Sequence, residues 1–238
     1  GHKGDVLSVA RLAGIMGAKQ TAALDSMRRD FVANLSHELR TPVSVIRANS
    51  ETLLDGALDH PKDANRFTRA ILHNSERLTE MVSNLIDLSR IEYGDKQFNL
   101  EDVDLKNKIH RVMEAMTSLA AEKDIKFIFD YAGEAIVKAD HGALEQVLNN
   151  LLENSIKYSS KNSKINIKLR KQDDFYRVSI LDSGSGLTPE ESSLVFNRFY
   201  RTAKARAESK QGSGLGLAIV KHLVNQLGGE VGVMPRKN

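Results

Sequence analysis

The 238-residue chain contains no cysteine. Disulfides, zinc–thiolate sites and thiol catalysis are thereby excluded, and a reducing compartment suits the sequence. No one charge dominates either: 34 Lys and Arg stand against 31 Asp and Glu, a formal +3. The basic residues are scattered among the acids, so a nucleic-acid partner is not expected. One stretch departs from this, Arg198 to Lys210, with five basic residues and one acid, Glu208. No apolar run approaches the roughly 18 residues of a membrane span, and no leader peptide is visible. The chain as given is expected to be soluble and free of membrane contact.

What is present suffices for a folded protein. Hydrophobic residues make up 41% and charged residues 27%, which supplies both a packed core and a wet surface. The length favours two small domains over one.

Residues 26–92 read as two long helices. The first carries Met27, Phe31, Leu35, Leu39, Val43, Ile46, Leu53 and Leu54; the second carries Phe67, Ile71, Leu78, Met81, Val82, Leu85, Leu88 and Ile91. Spacings of three, four and seven make each a narrow apolar stripe on a polar helix. A lone hairpin buries too little, whereas two hairpins closing into a four-helix bundle bury both stripes, so a homodimer is predicted. Asp55-Gly56 through Pro61 has turn chemistry, and Pro61 suits the first turn of the second helix. Pro42 lies inside the first helix, one turn after His37, and is expected to kink it.

Residues 93–101 read as a linker. Beyond it the spacing predicts a helix at Leu105–Ala121 and strands at Ile125–Asp130 and Ala135–Ala139. Asp140 caps a helix running to about Tyr158, and strands follow at Ile165–Leu169 and Arg177–Leu181. Ser183–Gly212 is polar with little periodicity; a helix at Gly214–Leu227 and a strand at Glu230–Met234 close the chain. This mixture predicts an α/β sandwich with helices on one face of a sheet. A thirty-residue loop inside such a domain is unusual unless it is a functional lid.

Four segments carry chemistry. In His37-Glu38-Leu39-Arg40-Thr41-Pro42 a neutral imidazole nitrogen is a competent nucleophile. The adjacent Glu38 can take the proton from the other ring nitrogen, and Thr41, one turn on, can orient a water for the reverse hydrolysis. Read bare, a His beside a Glu on a helix is more often a solvated pair. Asn150, Asn154 and Lys157 sit at i, i+4 and i+7, on one helix face. Amide oxygens suit Mg²⁺, a lysine suits phosphate, and a plain polar face is the alternative. Asp182-Ser183-Gly184-Ser185-Gly186 follows a strand, where a carboxylate can accept from an exocyclic amine and glycines admit a flat base; it also reads as an ordinary turn. Gly212-Ser213-Gly214-Leu215-Gly216 opens the last helix, where backbone N–H groups cradle phosphates. It is neither a Walker loop, since no Gly-Lys-Ser/Thr follows, nor a Rossmann turn, since a polar loop precedes it.

Together these segments resemble the sensor histidine kinases. Asp30 to Pro42 is similar to that family's phospho-acceptor segment, in the subgroup where His-Glu is followed by Leu-Arg-Thr-Pro, which includes phosphate and cell-wall sensors. Gln146 to Tyr158 resembles its asparagine box, which implies Mg²⁺ on Asn154 with Asn150 in support and Lys157 and Tyr158 around the nucleotide. The segment at Asp182, Gly184 and Gly186 resembles the first glycine box, which implies the adenine amino group on Asp182. Gly212, Gly214, Leu215 and Gly216 resemble the second. Phe196-Asn197-Arg198-Phe199-Tyr200-Arg201 resembles the phenylalanine box and implies Arg201 near the γ-phosphate.

The resemblance covers residues 26–234. It implies a dimeric four-helix bundle (residues 26–92), then the linker, then an ATP-binding sandwich of the gyrase, chaperone and kinase type (residues 102–238). The activity implied is ATP- and Mg²⁺-dependent autophosphorylation on His37. Transfer to an aspartate on a response-regulator receiver domain follows, with dephosphorylation of that regulator as a further capacity. A parent in the bacterial cytoplasmic membrane, with these domains in the cytoplasm, is also implied. Two other readings stay open: a structural ATPase or clamp sharing the nucleotide fold, and a scaffold or phosphatase-only relative.

Two segments depart from the family. The chain stops at Met234-Pro235-Arg236-Lys237-Asn238, where the family continues with a Gly-Ser-x-Phe strand, so an open sheet edge is expected. Residues 3–24 resemble a helix of cyclic pyranopterin monophosphate synthase, and Gly1-His2 resembles a tag remnant. Residues 1–25 therefore read as a tag and a fused helix standing in for a membrane and sensor portion, with a native amphipathic linker helix as the alternative.

Overall fold

The computed structural model describes residues 29, 31–92, 97–131, 133–208 and 212–234. The reading of residues 1–25 as a fused helix lies outside them. The chain divides into two compact units, Gly1–Thr79 and Glu80–Asn238.

The first unit is a helical hairpin. Helix α1 occupies residues 31–54, and α2 (Pro61–Glu92) returns after a short 3-10 turn at Ala57–Asp59. Gly56 makes the turn with φ of 112°, a conformation that costs glycine little. Pro61 is the first residue of α2, where its missing N–H is harmless. Helix α1 continues through Pro42, which is buried. Pro42 offers no N–H to the carbonyl of Glu38 four residues earlier.

The apolar stripe of α1 proves to be two stripes. Phe31, Leu35, Leu39, Ile46 and Leu53 are half-buried in the hairpin. Val32, Val43 and Leu54 are 53%, 50% and 80% exposed. They are three turns apart, so they form a second line on another side of the helix. On α2 Phe67, Ile71 and Leu78 are half-buried, while Leu72 is exposed.

The second unit takes in the last turns of α2, with Met81, Leu88 and Ile91 buried and Val82 and Ile86 exposed. Its main sheet has three strands in the order β2–β4–β5. Strand β4 (Lys164–Gln172) lies parallel to β2 (Lys126–Asp130) and antiparallel to β5 (Phe175–Leu181). A separate pair joins β1 (Glu101–Asp104) to β3 (Ile136–Ala139), antiparallel, with Val103 opposite Val137. The sequence pattern does not announce β1.

Register decides which sheet face is apolar. Phe127 faces Ile165 and Phe129 faces Ile167; Ile167 faces Ile180 and Leu169 faces Val178. These residues fall on one face. Leu105, Ile109 and Val112 of α3 (Leu105–Ala115), with Leu148, Leu152 and Ile156 of α5 (His141–Tyr158), complete the core against them. Each such side chain contributes about 1.5–3 kcal/mol, an upper bound. The helices thus lie on one face of the sheet, as the sequence predicts.

Local signals set the ends of α5. Asp140 Oδ1 accepts from Ala143 N–H at 2.8 Å, and its Oδ2 accepts from Asn99 N–H at 3.0 Å. At the far end the Lys123 ammonium donates to the carbonyls of Ile156 (2.9 Å) and Lys157 (2.6 Å). A cation on the last carbonyls of a helix satisfies them and opposes its dipole.

Three expectations need correction. The helix expected at Leu105–Ala121 is broken at Met116 into α3 and α4 (Thr117–Ala121). The stretch Ser183–Gly212 is not structureless: it holds α6 (Pro189–Leu194) and α7 (Ala203–Glu208). Helix α6 is fixed by a capping box in which Thr188 and Glu191 satisfy each other's backbone N–H, with Pro189 in the first turn. Glu230–Met234 forms no strand, although Val231 and Val233 alternate in burial with exposed neighbours. Among the described residues β5 has a ladder only with β4, and residues 230–234 pair with neither sheet.

Candidate functional site

The chemistry-bearing residues fall into two sets, one in each unit. In the hairpin, His37 is exposed on α1 and Glu38 beside it is half-buried. Thr41 Oγ1 donates to the His37 carbonyl at 3.4 Å, a long bond that keeps its hydroxyl one turn from the imidazole's own residue. Glu38 does not stand alone. Its Oε2 lies 3.6 Å from Nη2 of Arg77 on α2, whose side chain is only 15% exposed. Sequence reasoning missed Arg77. The available signal was its place in the 3–4 spacing of Asn74, Arg77 and Met81, because a charge on an apolar seam needs a partner.

In the second unit the asparagine face of α5 meets the glycine segment that opens α8 (Gly216–Gln226). The proof lies in what a side chain at each glycine would strike. A Cβ on Gly216 would stand 2.5 Å from Asn150 Oδ1 and 4.0 Å from Asn154 Nδ2. One on Gly212 would collide with the Lys157 ammonium. One on Gly214, whose φ is +72°, would come within 2.8 Å of the Phe199 backbone. Asn150, Asn154, Lys157, Gly212 and Gly216, far apart in sequence, are therefore neighbours. Asn150 Nδ2 donates to the Gln146 carbonyl at 2.9 Å, which turns its oxygen toward Gly216.

The Asp182 segment closes on the end of α5. Asp182 Oδ1 accepts from Gly184 N–H at 2.8 Å. A Cβ on Gly184 would stand 2.9 Å from that oxygen and 3.2 Å from the carbonyl of Tyr158, and Gly186 turns the chain with φ of +74°. The Ser183 N–H donates to Ser159 Oγ at 3.4 Å, a second tie between loop and helix. The Tyr158 ring carries the Lys157 ammonium 5.0 Å from its centroid.

Two more of the expected residues, Leu215 and Arg201, have bonds within the loop. The Leu215 side chain is fully buried, so only its backbone can face a ligand. Its N–H donates to Ser213 Oγ at 3.4 Å. Arg201 Nη2 donates to the Ala205 carbonyl at 2.8 Å, which ties the Phe199–Arg201 turn to α7. Phe199 holds φ of +60°, uncommon for an aromatic residue, and its N–H donates to the Gly214 carbonyl at 2.9 Å. The phenylalanine and glycine segments are thus locked backbone to backbone. Helix α8 begins without a side-chain cap, leaving its first N–H groups available to an anion.

The donor set fits a magnesium ion. No cluster of three or more His, Cys, Asp or Glu stands ready for a metal among the described residues. Amide oxygens on one helix face beside a phosphate-type cradle are what Mg²⁺ takes when it keeps its waters and bridges phosphates. Near this face Glu153 is partly desolvated, which raises its carboxyl above the ordinary range; Glu80 adds to the shift and Lys157 opposes it. Gln146 Nε2 donates to Asp87 at 2.8 Å on the same side of α5.

An exposed histidine on a helical hairpin, joined to a sandwich whose asparagine helix meets a glycine cradle, defines a phospho-acceptor domain followed by an ATPase domain. Family comparison agrees with both halves. Residues 27–94 match the His Kinase A (phospho-acceptor) domain, and residues 139–238 match the histidine kinase-, DNA gyrase B-, and HSP90-like ATPase. The chain belongs to the bacterial sensor histidine kinases. It is 37% identical over 212 residues to the sensor-like histidine kinase SenX3 of Mycobacterium tuberculosis, covering 89% of this chain and 52% of that protein. The chain thus spans about half the length of this curated relative. The histidine kinase AdeS of Acinetobacter baumannii superposes with a TM-score of 0.65 at 26% identity, covering 79% of this chain and 86% of AdeS. Histidine kinase ThkA, solved in complex with response regulator protein TrrA, shares the fold with a TM-score of 0.67 at 23% identity, over 84% of this chain and 55% of that one.

Proposed function

We propose that this chain is an ATP-dependent protein-histidine kinase that phosphorylates itself on His37. The observation that carries the reading is the convergence of Gly212 and Gly216 on Lys157 and Asn150, which brings an ammonium and an amide oxygen against glycine backbone. Asp182 takes the adenine amino group through its carboxylate, with Gly184 and Gly186 admitting the base and Tyr158 beside it. Lys157 and the N–H groups of Gly214, Leu215 and Gly216 take the phosphates. Arg201, on the turn locked to Gly214, serves the γ-phosphate end.

Asn154 and Asn150 would hold Mg²⁺, which would neutralise charge on the phosphates. In the hairpin, the His37 ring nitrogen bonds to the γ-phosphorus as the bond to the ADP oxygen breaks, and ADP leaves with that electron pair. The proton on the other ring nitrogen passes to Glu38. Thr41 orients water in the reverse hydrolysis.

Domain limits at 26–92, 93–101 and 102–238 belong to the same proposal. So does a homodimer, supported by the exposed line Val32, Val43 and Leu54 on α1 and by exposed Leu72, Val82 and Ile86 on α2. The phosphoryl group passes from exposed His37 to a receiver-domain aspartate of a response regulator, the kind of partner seen with ThkA. The parent protein is anchored in the bacterial cytoplasmic membrane; no helix among the described residues is long and apolar enough to cross one.

The test is incubation with radiolabelled ATP and Mg²⁺, comparing the chain with His37→Gln and Asn154→Ala. Acid-labile, base-stable label on the unsubstituted chain alone supports the proposal. Label that survives His37→Gln overturns the acceptor assignment. ATP hydrolysis without label favours a structural ATPase.

A further inference from the structure

Among the described residues most ion pairs have both side chains well exposed, such as Arg47–Glu51 and Arg66–Asp63 on single helices. Arg77–Glu38 is different. It joins α2 to α1, and its side chains are only 15% and 27% exposed. A guanidinium that gives up most of its water on an apolar seam loses hydration that one distant partner does not restore. The Nε of Arg77 is buried with no hydrogen-bond partner, so the site is not arranged to satisfy the arginine. What the arrangement does serve is the carboxylate next to His37.

We propose that Arg77 is a positioning residue that holds the Glu38 carboxylate in reach of the His37 imidazole. The proposal rests on the reading of Glu38 as proton acceptor. Two features of the geometry support it. Pro42 withholds its N–H from the Glu38 carbonyl, so the backbone at Glu38 has lost one helical tie and gains a side-chain tie instead. The separation of Nη2 and Oε2, 3.6 Å, is an ion pair beyond hydrogen-bond length. The carboxylate is therefore drawn toward α2 by charge yet is not locked there, and it can swing to the ring nitrogen whose proton it receives. Arg77 touches neither ATP nor the phosphorus in this role. It acts through Glu38.

A double-mutant cycle on the autophosphorylation rate of the whole chain tests this, using Glu38→Gln, Arg77→Gln and the pair. Loss of a general base costs about 100-fold or more. Arg77→Gln is expected to slow the reaction about 10-fold with KM for ATP unchanged, an effect between that of a base and that of a bystander. The pair is expected to be no slower than Glu38→Gln alone, because there is then no carboxylate to position. Arg77→Lys keeps the charge and recovers most of the rate; should Arg77→Gln not fold, the cycle is run with Arg77→Met, which keeps the stem and removes the charge. A pair whose loss is the product of the single losses overturns the proposal, as does a raised KM for ATP in Arg77→Gln. If the unsubstituted chain takes no label on His37, the kinase reading falls and this one with it; label with an additive cycle sinks only the role of Arg77.

Discussion

The hairpin and the sandwich hold their functional residues in opposite ways. His37 stands exposed on a helix surface, and the half-buried Arg77 contacts its neighbour Glu38. Asn150, Lys157 and Asp182 are instead pressed against glycines, with no space for a methyl group between. An acceptor that must be reached by a nucleotide and then by another protein needs access, and its neighbours need little precision. A cradle that distinguishes a nucleotide needs backbone brought close, which only glycine permits. The first kind of site is sensitive to chemistry, the second to volume.

That contrast can be broken by substitution. The largest effect belongs to His37→Gln: label is abolished, while nucleotide affinity and thermal unfolding stay unchanged, measured by titration and calorimetry. A shift in unfolding there contradicts the idea that the acceptor site carries no packing. Gly214→Ala adds one carbon, and its expected cost is structural. Its Cβ would meet Phe199 at 2.8 Å with φ of +72°. Stability should fall by about 1–3 kcal/mol and ATP affinity should drop with it. Denaturant unfolding at several ATP concentrations separates the two.

Asp140→Ala is smaller. It removes the cap of α5 and the tie to Asn99, and should cost about 1 kcal/mol with His37 chemistry intact in saturating ATP. The smallest effect is a pH dependence. The Glu153 carboxyl is raised by desolvation and by Glu80, so the folded state holds that proton more tightly than the unfolded chain does. Its contribution to stability is therefore present below the ordinary carboxylate range and lost as pH rises through the raised value. Glu153→Gln should melt slightly higher than the unsubstituted chain near neutral pH, with the gain vanishing as pH falls through the carboxylate range. A gain that grows on acidification contradicts the shift.

Much of this was legible in the sequence because the signals were local. Asp140 before an apolar face, Pro61 after a glycine turn, and Asn150, Asn154 and Lys157 on one helical face each act within a turn or two of chain. Strand β1 was not legible, since four residues gain their meaning only from β3, over thirty residues on. Helix α6 was written in Thr188-Pro189-Glu190-Glu191, a capping box, but six residues are too few to show a period. Glu230–Met234 shows the converse error: alternation was read correctly, and a ladder needs a partner that alternation does not supply. Of the site, residue types were legible and closeness was not. That Gly216 touches Asn150 follows from packing α8 on α5, and Arg77 came from the other arm of the hairpin.

The exposed line on α1 has one more consequence. Val32, Val43 and Leu54 recur every eleven residues, whereas the inward residues Leu35, Leu39, Pro42 and Ile46 follow a seven-residue rhythm. An eleven-residue line winds around a straight helix in the opposite sense to a seven-residue one. In the proposed dimer, a second copy tracking the outer line would be steered toward a right-handed crossing, while the hairpin's own seam favours a left-handed one. Twisting the helices either way would tighten one interface as it loosened the other, so the handedness of the proposed bundle would be a quantity that a load on α1 could move.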